Sequence, residues 1–126
     1  MKKIRIFDLS ISDTKSIKNY KTILERILKK GIFFLGSEVE KLEKLLSKYL
    51  KVKYVVCLSS GSSALYLALK SIGIKKGDEI ITTPLSWIIT ANAIIETGAK
   101  PIFVDIDDNL NIDPIQIKKS ITKKTK

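Results

Sequence analysis

The sequence predicts an α/β fold in which short parallel strands are covered by helices on both faces. Three observations predict it. Short apolar, largely β-branched runs at 54–58, 79–83 and 102–104 alternate with longer runs of helical periodicity. All six glycines fall between those runs, where elements end. Strands separated by helices need crossover connections, which is the grammar of a parallel sheet.

The elements follow in order. Residues 2–12 read as an extended lead-in without strong periodicity. Ser12 or Asp13 caps a first helix, and Ile17, Tyr20, Leu24 and Ile27 form its apolar stripe. Lys29 and Lys30 suit the C-terminal dipole of that helix, and Gly31 stops it. The connector Ile32, Phe33, Phe34, Leu35 and Gly36 is too short for a helix and too apolar for an idle loop. It either plugs into the core or lines a pocket or a subunit contact. Ser37 and Glu40 have capping-box spacing at the start of a second helix. Val39, Leu42, Leu46 and Tyr49 give that helix a buried stripe, and Glu40 with Lys44 an i,i+4 pair.

The stretch 54–72 organises the rest. Tyr54, Val55, Val56, Cys57 and Leu58 suit a buried strand. Residues 59–63 are four serines around Gly61, so the backbone turns sharply and nothing bulky blocks a ligand. Leu65, Ala68, Leu69 and Ile72 then recur at helical spacing and Gly73 ends the run. A helix that starts directly after a strand turns its free N–H groups and positive dipole end toward the sheet edge, which makes an anion site. The alternative is an ordinary serine-capped connection.

Beyond Gly73, a glycine-punctuated turn at 74–78 leads to the strand at 79–83, closed by Pro84. Ser86 is placed to cap a helix carrying Ile88, Ala91, Ile94 and Ile95, with Trp87 in its first turn and Gly98 at its end. Pro101 opens the strand 102–104, which ends at Asp105. Asp113 and Pro114 start a final helix, with Ile117 and Ile121 on one face, before a bare polar tail at 122–126. In open parallel sheets ligands bind beyond the carboxyl ends of the strands. That rule puts 59–63, 84–87 and 105–107 on one rim and sets the Trp87 indole beside the anion site. The alternative for Trp87 is core packing at a helix start.

Composition narrows the chemistry. With 126 residues, 44% hydrophobic and 29% charged, the chain is a globular domain and not a disordered one. The net charge of +10 raises the reading of a basic nucleic-acid-binding module. Arg5 and Arg26 are the only arginines, however, and the lysines are spread along the chain, which argues against base reading from one face. Histidine is absent, so Ser-His-Asp and Cys-His catalysis and His-ligated metal sites are excluded. The lone Cys57, expected in a buried strand, cannot form an internal disulfide and fits a reducing cytoplasm. No apolar run approaches membrane-spanning length, and no signal-peptide core follows Met1, Lys2 and Lys3.

The run 59–107, SSGSSALYLALKSIGIKKGDEIITTPLSWIITANAIIETGAKPIFVDID, resembles the N-terminal part of the DegT/StrS-type sugar aminotransferases, pyridoxal 5'-phosphate (PLP) enzymes. The likeness starts at Gly31 and continues to residue 126. It implies an incomplete large domain of the aspartate-aminotransferase-like fold (type I PLP-dependent transferase). On this resemblance residues 1–126 are expected to form the N-terminal part of that PLP-binding domain, with 30–126 the strongest match, or roughly the first third of a full member.

The family's turn, usually Ser-Gly-Thr-x-Ala, stands here as Ser60, Gly61, Ser62, Ser63 and Ala64. The resemblance implies that Gly61, Ser62 and Ser63 hold the PLP phosphate and that Trp87 stacks on the pyridine ring. Ser62 replaces the commoner Thr and keeps its hydroxyl. The Schiff-base lysine and the acid that pairs with the pyridine nitrogen are expected beyond residue 126, so no catalytic residue is assigned and the chain alone is expected to be inactive and unstable. The implied reaction moves an amino group, typically from glutamate, onto a nucleotide-linked keto sugar for polysaccharide or glycan synthesis, in a homodimer. Some relatives dehydrate such sugars instead.

Overall fold

The computed structural model describes Phe7 and residues 9–126. Its elements are α1 (Thr14–Lys30), α2 (Ser37–Leu50), α3 (Gly61–Ser71), β1 (Glu79–Thr82), α4 (Ile88–Glu96), β2 (Lys100–Phe103) and α5 (Pro114–Ser120). The chain divides into two compact units, one ending at Cys57 and the other running Leu58–Lys126. Apart from Phe7 and residues 9–12, the lead-in expected at 2–12 lies outside the described residues, as do Met1, Lys2 and Lys3.

In the first unit, α1 starts where its sequence predicts. The Asp13 carboxylate accepts from the backbone N–H of Ser16 at 2.8 Å and of Lys15 at 3.3 Å. Hydrogen bonding from Ser16, then from the Lys15 amide, holds the Asp13 carboxyl below its ordinary range. Gly31 ends the helix at φ 65°, its amide donating to the Ile27 and Leu28 carbonyls. The start of α2 corrects the sequence reading. Gly36, in extended backbone, is the N-cap, and Ser37 is already helical, so the capping box between Ser37 and Glu40 does not form. Glu38 accepts from Arg26 of α1 at 3.0 Å and from Lys41 at 3.4 Å. Exposed pairs of this kind contribute about 0–1 kcal/mol.

The stripes expected to be buried are not. Tyr20, Leu24, Leu42 and Tyr49 are exposed, while Ile27, Val39 and Leu46 are half-buried. Two helices and a connector have too little surface of their own to cover both stripes.

The strand expected at 54–58 is absent, which corrects the reading of the organising stretch. Its alternation survives, since Val55 and Cys57 are half-buried and Tyr54, Val56 and Leu58 exposed. A strand exists through its ladder, and no neighbouring strand meets this run among the described residues. The Cys57 amide donates instead to Glu43 Oε1 at 2.8 Å. Cys57, expected to be buried, is only half-buried for the same reason.

In the second unit, β1 and β2 pair in parallel, with Glu79 opposite Lys100 and Thr82 opposite Phe103. The β2 ladder begins at Lys100 and takes in Pro101, two residues before the expected start. α4 packs on both strands and α3 packs on α4. Ile74, Ile94 and Ala99 form the core, with Leu69 of α3 and Ile80 of β1 against it. Burying an isoleucine as fully as Ile94 contributes about 2 kcal/mol. Gly98 turns the chain from α4 into β2 at φ 86°, where a Cβ would lie 3.3 Å from Lys76 Cβ. Asp113 caps α5, accepting from the Ile115 amide at 2.8 Å, with Pro114 in the first turn.

The tail at 122–126 is not bare. The Glu79 amide donates to the Lys124 carbonyl at 2.9 Å and the Lys126 amide to the Glu79 carbonyl at 3.1 Å. Thr125 thereby bridges Glu79 in parallel on the edge of β1 that β2 leaves free. The Thr122 hydroxyl fastens this turn to Glu79 Oε2 at 2.6 Å.

Candidate functional site

The site is built where α3 and α4 begin. Ser60, which the sequence did not single out, is the α3 N-cap. Its Oγ accepts from the Ser63 amide at 3.1 Å and lies 3.0 Å from Ser63 Oγ. The Ser59 hydroxyl stands 3.4 Å from the same Ser63 oxygen. The Ser63 amide and hydroxyl are therefore both engaged within the turn. The amides of Gly61 and Ser62 meet no acceptor among the described residues, and neither does the Ser62 hydroxyl. These are the orphan donors that a helix N-terminus leaves. A Cβ on Gly61 would meet nothing within 4 Å, so the approach is open. The first turn carries no acidic side chain, which leaves the positive end of the dipole uncompensated.

The start of α4 departs from expectation by one residue. Trp87, not Ser86, is the N-cap, and no side chain caps the helix. Ser86 is drawn away by the Thr90 hydroxyl, with Ser86 Oγ and Thr90 Oγ1 2.9 Å apart. The Trp87 carbonyl accepts from the Thr90 amide at 2.9 Å. Tryptophan is a poor N-cap, so local helix chemistry does not account for its place. The residue is 77% exposed, so it is not part of the core that the described residues form.

Gly61, Ser62 and Trp87 line one open hollow of about 720 Å³, together with Ala64, Leu65, Ala68, Ile89 and Thr90. Small-molecule sites occupy roughly 300–1,000 Å³ and are mostly apolar with a few placed polar groups. An anionic group finds two free amides, a hydroxyl and a helix end here, and a flat ring finds an exposed indole. Among the described residues no lysine or other ionisable side chain lines the hollow.

Much of the expected rim falls outside it, since Ser59, Ser60, Ser63 and residues 84–86 and 105–107 do not line the hollow. Residues 105–107 are occupied with their own loop, where Asp107 Oδ1 accepts from the Asn109 and Asn111 amides at 2.9 and 3.0 Å. Sequence reasoning missed Thr90, whose signal is its spacing, three residues after Trp87 and four after Ser86. In the first unit the connector does line a hollow, of about 470 Å³, to which Phe33 and Leu35 contribute beside Arg26 and Glu38. Among the described residues no cluster of acidic, Cys or His side chains could hold a metal ion, and no helix is long and apolar enough to cross a membrane.

Known proteins resemble this chain in sequence and in fold. The spore coat polysaccharide biosynthesis protein SpsC of Bacillus subtilis is 46% identical over 100 residues, covering 79% of this chain and 26% of its own length. The solved structure of NtdA from Bacillus subtilis with bound cofactor PMP superposes with a TM-score of 0.86 at 36% identity, over 90% of this chain and 26% of that one. The GDP-4-keto-6-deoxy-D-mannose-3-dehydratase of E. coli with bound hydrated PLP gives 0.79 at 34% identity, over 93% of this chain and 31% of that one. The chain thus spans between a quarter and a third of the length of these relatives, and its fold is the corresponding part of the type I PLP aminotransferase architecture. The family model for the DegT/DnrJ/EryC1/StrS aminotransferases matches residues 15–126, and the chain belongs to that family.

Proposed function

We propose that this chain is the cofactor-holding N-terminal portion of a PLP-dependent aminotransferase acting on a nucleotide-linked keto sugar. The single observation that carries the reading is the hollow that joins the free α3 amides to the exposed Trp87 indole. In this reading, residues 1–126 are the first part of the large domain. Gly61 and Ser62 receive the phosphate through their amides and the Ser62 hydroxyl, and Ser63 joins them by giving up its bond to Ser60. Trp87 would orient the ring by stacking, and Leu65, Ala68 and Ile89 would give the hollow an apolar lining that disfavours water. Bound there, PLP would supply an aldehyde to carry the amino group and a ring to take up electron density during the transfer. The amine that this chemistry requires comes from outside the hollow in this reading, since no lysine among the described residues lines it. Glutamate as amino donor, a homodimer, a cytoplasmic setting and a product used in polysaccharide or glycan synthesis complete the proposal.

A second reading is sugar dehydration within the same family, favoured by the likeness to the E. coli dehydratase. One experiment separates the two. The protein carrying this chain is incubated with PLP, glutamate and a panel of nucleotide-linked keto sugars, and the products are resolved by mass. An aminated sugar with matching loss of glutamate supports transamination. A dehydrated sugar moves the assignment to the second reading. No turnover and no PLP uptake together reject both.

A further inference from the structure

We infer that Ser86 and Thr90 form a bracket whose task is to hold the Trp87 indole in position for the cofactor ring, an inference that rests on the PLP reading of this hollow. Three observations lead to it. Ser86 is better suited than Trp87 to cap α4, yet the helix begins one residue later and leaves its first amides without a side-chain acceptor. The hydroxyl that would have capped the helix is instead 2.9 Å from Thr90 Oγ1, a bond that closes around Trp87. The backbone repeats the closure, because the Thr90 amide donates to the Trp87 carbonyl at 2.9 Å. Trp87 thus sits inside a ring of two hydrogen bonds, one through side chains and one through main chain.

The cost in helix capping is explained by what the shift achieves at the hollow. An indole 77% exposed has few packing contacts of its own to fix its direction. Fixing the backbone on both sides restricts the bond from which the ring swings. Thr90 contributes twice, since it also lines the hollow beside Trp87. Its methyl group faces the same choice of rotamers as its hydroxyl, so the hydrogen bond to Ser86 decides which of the two turns toward the ligand. Ser86 and Thr90 are positioning residues. They act on the cofactor through Trp87, and they prepare the stacking face before the ligand arrives.

Trp87 is the only tryptophan of these residues, which makes it the probe. Ser86→Ala and Thr90→Val remove the side-chain bond, Thr90→Ser keeps it, and Trp87→Phe supplies the blank for any tryptophan elsewhere in the protein. The readouts are the fluorescence anisotropy of Trp87 without ligand and its quenching on titration with PLP. We expect lower anisotropy and about fivefold weaker PLP binding in Ser86→Ala and Thr90→Val, the effect of one neutral hydrogen bond. Thr90→Ser restores both. Ser86 is exposed and precedes the helix, so Ser86→Ala keeps the test open if Thr90→Val fails to fold. Unchanged anisotropy and affinity in Ser86→Ala overturn the bracket. Quenching absent in the unsubstituted protein overturns the PLP reading instead, and the anisotropies still decide whether the bracket orders Trp87.

Discussion

Replacing Gly61 by aspartate separates the proposed site from the fold, because the two respond with opposite sign. Gly61 is the first residue of α3, and the space where its Cβ would stand is empty to 4 Å. The fold therefore accepts a side chain there. An aspartate at that place loses less backbone entropy than glycine and meets the positive end of the helix dipole. Together these contribute about 0.5–1 kcal/mol of stability. In a unit of this size that raises Tm by about 2–8 °C. The proposed ligand fares differently. A carboxylate about 4 Å from a phosphate dianion costs about 2 kcal/mol even at the dielectric of water, or about 30-fold in Kd. Differential scanning calorimetry reads the first quantity and isothermal titration with PLP reads the second. The reasoning predicts a more stable protein that binds PLP poorly. A variant with lower Tm and unchanged PLP affinity would refute it, since the open space and the anion site would then both have been misjudged.

Other consequences follow from the packing and the caps. Ile94→Ala empties the centre of the only buried apolar cluster among the described residues and should cost about 2–5 kcal/mol, read as a fall in denaturation midpoint with the m-value kept. Ser60→Ala removes the acceptor of the Ser63 amide and should cost about 1 kcal/mol in thermal stability. PLP affinity should hold or rise in that variant, because a donor is released toward the hollow. Asp13 gives a pH dependence. Its folded-state pKa is depressed by the Ser16 and Lys15 hydrogen bonds, so protonation is harder in the folded chain. Its contribution to α1 is complete above about pH 4 and is lost as pH falls through the lowered value. Helical circular dichroism should decline over that acid range, and Asp13→Asn should flatten the decline.

The fold was legible in the sequence where local chemistry decides it. Asp13, Gly31, Asp113 and Pro114 act as their residue types dictate, and Gly98 ends α4's turn into β2 as expected. The readings that failed depend on partners distant in sequence. The run 54–58 has strand alternation and no ladder, because a strand is made by its neighbour and not by its own residues. The stripes of α1 and α2 have the right period and little to cover them. At the site, the small-residue turn and Trp87 were visible as residue types. Ser60 as the cap of α3 and the displaced start of α4 were not, since Ser59, Ser60, Ser62, Ser63 and Ser86 are locally equivalent caps. Which serine takes the role follows from the backbone around it. The Thr125 bridge to Glu79 was hidden for a similar reason, because a lysine-rich tail has no apolar pattern to announce pairing.

The central claim is that the α3 N-terminus and Trp87 together hold PLP. The most direct test is a PLP titration followed by the cofactor's absorption spectrum, comparing the unsubstituted protein with Ser62→Ala/Trp87→Ala. The account predicts a saturable spectral shift in the first and its loss in the second, with circular dichroism unchanged. An equal shift in both proteins, or none in either, would contradict it.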